Sequence, residues 1–275
     1  MSPPPSLSTV EIDYLSDNAV LFSYNQPKIS NAFTVQQYHD LREALLWALA
    51  EPKINVVVQY AQHLGLVPRS DTDGKVLQSP DEGGPTIEQE IEAGGKLGEV
   101  LQGYPKVLIA AVHGAAIGWG CTQLSNFDLV YAHPQAFFHT PFMSLGFVPE
   151  GQSSYTFPKV MGKQHANRLL LGSERVSAPE MYVSGLVTQV IGDSGDSREA
   201  FVEKVGEIAK RIGGFSGESL RMCKALANRP VTLAEQREAG MREGTDLKVR
   251  LNSPETKAMM AAFANKSKSK DKSKL

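Results

Sequence analysis

The sequence predicts an α/β fold, and three observations carry that reading. β-Branched or apolar runs at residues 54–60, Val107–Val112 and Leu129–Ala132 have the composition of buried strands. Residues 34–50 space Val35, Tyr38, Leu41, Leu45, Leu46 and Leu49 as one face of a helix. Strand, helix and strand in that rhythm point to parallel pairing.

Each element has its own signal. Residues 10–24 alternate around Asp17-Asn18, which predicts a β-hairpin. Thr34 is placed to cap the following helix, and Pro52 ends it. Residues 166–171 and 178–184 read as helical, with Gly185 as the stop and a short strand over 186–190. Residues 199–212 and 231–250 have helical composition, and a last helix is expected over 254–264. The domain reading is a disordered Pro- and Ser-rich start at 1–8, a core over 9–195, a helical region over 196–264 and a disordered tail over 265–275.

Composition removes several function classes. The 28 basic and 30 acidic residues give a net charge of −2, so no nucleic-acid partner is expected. No apolar run reaches the length of a membrane span, and the start lacks a secretory signal. Cys121 and Cys223 are far apart, and the six histidines show no ligand spacing. No disulfide, metal or cofactor is therefore expected.

The most informative segment is Ile109-Ala-Ala-Val-His-Gly-Ala-Ala-Ile-Gly-Trp-Gly-Cys121. A buried strand enters a loop of small residues, and a helix starts near Gly120. Small residues let a ligand approach the backbone, and amides at a helix start can bind an anion. A plain strand-to-helix turn has the same pattern, and spacing alone leaves both readings open.

This segment resembles the glycine-loop signature of the crotonase family. Asn126-Phe-Asp128-Leu-Val-Tyr-Ala132, Phe138 to Gly146, Ser177-Ala-Pro-Glu180, Gly185-Leu-Val and Asn25-Gln-Pro-Lys-Ile-Ser-Asn-Ala-Phe33 resemble further stretches of the same family. The likeness covers roughly residues 8–264. It implies a crotonase fold of repeated ββα units with a C-terminal helical region, assembled as a homotrimer or homohexamer. It also implies an acyl-CoA thioester substrate and an enolate stabilised by two backbone N–H groups. The first donor would be Trp119, with Gly118, Phe142 and Leu145 contacting the substrate. Residues 61–73 lack the family pattern, through a diverged loop or an error in the gene sequence. Family-like sequence resumes around Gly74 or later, and with a diverged loop the resemblance would make the Lys75 N–H the second donor.

The two glutamates of family hydratases fall on Thr122 and Phe142, neither of which is a carboxylate. The segment Leu145-Gly-Phe-Val-Pro-Glu-Gly-Gln-Ser-Ser-Tyr-Thr-Phe-Pro158 is similar to peroxisomal Δ3,Δ2-enoyl-CoA isomerases. By that resemblance Glu150 is the catalytic base. Read from the residues alone, Glu150 is better explained as a first-turn acid favoured by a helix dipole, and the resemblance reverses that preference. The implied reaction moves the double bond of 3-enoyl-CoA to the 2-position. A specialised hydratase and a non-catalytic acyl-CoA-binding homologue are the alternatives. The final Ser273-Lys274-Leu275 matches a peroxisomal address, which implies an import receptor as partner and a matrix location.

Overall fold

The computed structural model describes residues 2–61, 84–228 and 230–272. The expected hairpin is β1 (Val10–Ser16) and β2 (Ala19–Tyr24), with a bulge between Tyr14 and Ser16. Helix α1 (Val35–Ala50) follows, and the Thr34 side chain accepts from the Gln37 N–H as a cap. Then come β3 (Val56–Ala61), α2 (Ile87–Gln102), β4 (Val107–Val112) and β5 (Ala115–Ile117). The middle of the chain holds α3 (Trp119–Thr122), β6 (Leu129–Ala132), β7 (Phe137–His139) and α4 (Phe142–Leu145). It continues as α5 (Ser153–Leu170), β8 (Arg175–Ser177), α6 (Ala178–Ser184) and β9 (Gln189–Val190). The chain then turns helical in α7 (Arg198–Gly213), α8 (Gly217–Ala227), α9 (Pro230–Asn252) and α10 (Pro254–Lys272).

The main sheet has strand order β1-β2-β3-β4-β6-β9 and is parallel from β2 onward. A small second sheet, β5-β7-β8, lies beyond the turn that follows β4. Strand periodicity divides the main core. Val20, Phe22, Val57, Leu108, Ala110 and Val112 face a cluster with α1 and α2. Ala19, Leu21, Val56, Val58, Ile109 and Ala111 face Phe201, Val205 and Ala209 of α7. Both sides of the central strands are therefore covered, as their unbroken apolar composition requires.

Several boundaries differ from expectation. The helix expected at 166–171 is the end of α5, whose start is disguised by Ser-rich sequence, Pro158 and a non-helical Gly162. The expected strand over 186–190 shrinks to Gln189–Val190. Helix α10 continues to Lys272, past the expected end at 264, so the expected disordered tail is helical that far. Its lysines are good helix formers, and neither glycine nor proline stops the helix. Residues 2–8 form no regular element yet are anchored. Ser2 N–H donates to Glu51 (2.9 Å) and Ser8 N–H to Asp40 (3.0 Å). Among the described residues no helix is long and apolar enough to cross a membrane.

Candidate active site

The turn after β4 carries one half of the site. Gly118 has φ 54° and ψ −125°, a backbone conformation open to glycine alone. Its N–H donates to the His139 carbonyl (2.9 Å), and its own carbonyl receives the Cys121 and Thr122 N–H groups (2.9 Å each). This pins Trp119 at the first position of α3. The Trp119 indole is buried, 5.4 Å edge-on to the Tyr38 ring and 6.5 Å from Phe33. Helix α2 lies against it through glycines. A Cβ on Gly98 would stand 3.5 Å from the indole, and one on Gly94 would stand 3.8 Å away.

The segment between α4 and α5 carries the other half. Gly146 ends α4 with φ 70°, and its carbonyl accepts from Arg250 Nε and Thr256 Oγ1 (2.9 Å each). Farther along, Gly151 and Gln152 both have left-handed backbones (φ 64° and 61°). A Cβ on Gly151 would stand 2.5 Å from Thr122 Oγ1 and 3.4 Å from the Trp119 ring. The main chain beside Glu150 therefore packs closely on Thr122 and Trp119, and a side chain at residue 151 would collide with Thr122.

Glu150 projects from this turn. As a residue it is half-buried, but its Oε1 is fully enclosed and without a hydrogen-bond partner among the described residues. Burial pushes its carboxyl up to about 7, with the charges of Glu243 and Glu90 adding to the effect. The nearby Trp119 backbone N–H acts in the opposite sense, favouring the carboxylate. The amide and the carboxyl that the sequence singles out thus face one another.

Gly118, Trp119, Thr122 and Glu150 come together. Phe142 and Leu145 are each 2% exposed, and Phe142 belongs to the main core. Lys75 and the tripeptide Ser273, Lys274 and Leu275 lie outside the described residues. His113 stacks instead with His133 (4.4 Å) and Phe201 (5.6 Å), and His139 Nδ1 is 3.2 Å from the Glu174 carbonyl. Among the described residues no group of three or more His, Cys, Asp or Glu is placed to hold a metal ion. Sequence reasoning missed Glu243, Glu90, Tyr38 and Gly151. Only Gly151 carried a signal, by following Glu150 directly.

The enoyl-CoA hydratase/isomerase family matches residues 16–274. The chain belongs to that family. Its fold is the crotonase fold, and the structure of an enoyl-CoA hydratase/isomerase from Pseudoalteromonas atlantica T6c superposes with a TM-score of 0.79. That match has 28% identity and covers 94% of this chain and 98% of the other. Human enoyl-CoA delta isomerase 2 is 35% identical over 214 residues, which are 76% of this chain and 52% of the human protein. Mouse enoyl-CoA delta isomerase 3, peroxisomal, is 34% identical over 214 residues, covering 76% of this chain and 64% of the mouse protein. The chain therefore spans about half to two thirds of the length of these curated relatives. Within the crotonase family its sequence stands close to enoyl-CoA isomerases. A buried, near-neutral carboxyl facing a backbone donor suits proton transfer at a carbon beside a polarised carbonyl.

Proposed function

We propose that the chain converts 3-enoyl-CoA thioesters to 2-enoyl-CoA, with Glu150 as the base. The observation that carries this reading is the enclosed Glu150 Oε1, unpartnered among the described residues and beside the Trp119 N–H, with the carboxyl pushed up to about 7. Glu150 removes a C2 proton, and the electron pair moves into the thioester carbonyl. The Trp119 N–H holds the resulting oxyanion, joined by the Lys75 N–H as second donor, each contributing about 3 kcal/mol. Protonated Glu150 then returns its proton to C4. A carboxyl with a pKa near 7 accepts and releases that proton with similar ease.

Hydration calls for carboxylates that position and deprotonate water. Thr122 and Phe142 supply none. The test is to supply 3-enoyl-CoA and 2-enoyl-CoA separately. Double-bond migration from the first supports the proposal. Formation of 3-hydroxyacyl-CoA from the second indicates a hydratase, and binding without turnover indicates a non-catalytic homologue.

Two further parts of the reading have their own tests. Ser273-Lys274-Leu275 directs the chain to the peroxisome matrix through an import receptor, and a fluorescent fusion lacking these residues should stay diffuse. A homotrimer or homohexamer is expected, and light scattering on purified protein measures it.

A further inference from the structure

Helix α9 presents Gln236, Gly240 and Glu243 at helical spacing, and all three meet the turn that follows Glu150. Glu243 is buried. Its Oε2 accepts the Gln152 N–H (2.6 Å), while its Oε1 accepts the Ser154 N–H (2.8 Å) and the Ser154 hydroxyl. Gln152 and Ser154 open α5, so this carboxylate from a distant helix serves as the cap that the chain does not supply locally. A Cβ on Gly240 would stand 3.0 Å from Gln152 Cγ, so the missing side chain makes room for Gln152. Gln236 Nε2 donates to Gln152 Oε1 (3.3 Å) and to Asn126 Oδ1 (2.7 Å), tying Gln152 to the segment that follows α3. The held turn has two consecutive left-handed residues, Gly151 and Gln152, a backbone that local sequence alone does not favour.

We propose that Glu243 is the positioning residue of Glu150: it clasps the 150–154 turn and places a second negative charge beside the base. The inference rests on the isomerase reading above. Among the described residues, the groups that act electrostatically on Glu150 include Tyr38 of α1, Glu90 of α2, the Trp119 N–H of α3 and Glu243 of α9. Of the two acids, Glu243 also touches the backbone that carries the base. Its charge favours the protonated form of Glu150, so the base should titrate higher with Glu243 present than without it.

The test is Glu243→Gln, compared with wild type and with Glu150→Gln on 3-enoyl-CoA. Glu243→Gln should lower kcat about 10-fold to 100-fold with KM within about 3-fold of wild type, as a displaced base requires. The acidic limb of its kcat profile should move down by about half a pH unit, because one like charge has gone. A folded Glu243→Gln enzyme with an unmoved limb would overturn the proposal, whether or not kcat fell, since a merely structural role lowers kcat without moving the limb. If Glu243→Gln does not fold, Glu243→Asp keeps the charge, and Gly240→Ala strains the clasp while Glu243 stays. Both should retain the wild-type limb with reduced kcat, and wild-type kcat in Gly240→Ala would overturn the clasp. Turnover retained by Glu150→Gln is a separate result, and it removes the isomerase base assignment whatever Glu243 does.

Discussion

Trp119 and Glu150 face each other, yet they are anchored differently. Trp119 hangs from a central strand through a glycine turn, and its position is set by backbone hydrogen bonds such as Gly118 N–H to His139 O (2.9 Å). Glu150 precedes two left-handed residues, in a segment gripped from outside by Glu243 at Gln152 and Ser154 and by Arg250 and Thr256 at Gly146. The donor half follows from local chain and sheet geometry. The base half depends on side chains about a hundred residues later in sequence. That difference suits their tasks, since an oxyanion donor must stay fixed while a base carries a proton between two carbons.

The largest test of this contrast is chemical. Glu150→Gln should lower isomerase turnover about 1,000-fold, a loss typical of a general base, when initial rates on 3-enoyl-CoA are compared. Stability should move the other way. The Glu150 carboxyl is raised from 4.5 to about 7 in the folded chain, so its contribution is full below about 4.5 and is lost as pH rises through about 7. Glu150→Gln should therefore gain up to about 3 kcal/mol over wild type at about pH 8 and little at about pH 4.5, read by denaturant melts at both values. Gly151→Ala probes the contact between the halves. With φ 64° and a Cβ position 2.5 Å from Thr122 Oγ1, it should cost about 2 kcal/mol and reduce turnover. The smallest change is on the outer grip. Arg250→Ala removes one hydrogen bond to Gly146 O and should lower stability by about 1 kcal/mol, or a few degrees in Tm. A larger effect from Arg250→Ala than from Gly151→Ala would break the contrast between the two halves.

The same contrast accounts for what was legible in the sequence. Val107–Val112 and Leu129–Ala132 are found where their composition placed them, because an unbroken apolar run is what a strand buried on both faces requires. Helix α2 is hard to see despite its Thr86–Gln89 capping box, because Gly94, Gly95 and Gly98 read as breaks. In the fold, Gly94 and Gly98 are contact points with Tyr38, Trp119 and Gln152. Strands β5, β7 and β8 have three residues each, too few for alternation to register. Trp119 could be found because its surroundings form a contiguous motif. Glu243 could not, because its partners Gln152 and Ser154 lie 91 and 89 residues away and share no pattern with it.

The clasp by α9 has a consequence for the order in which the molecule becomes an enzyme. During synthesis the glycine turn and Glu150 leave the ribosome well before Glu243. A nascent or truncated chain ending before residue 243 would hold both reacting groups and lack the carboxylate that fixes one of them. Competence is thereby reserved for a chain whose last helices have docked, and proteolytic loss of that end should silence the site while leaving the sheet that frames it.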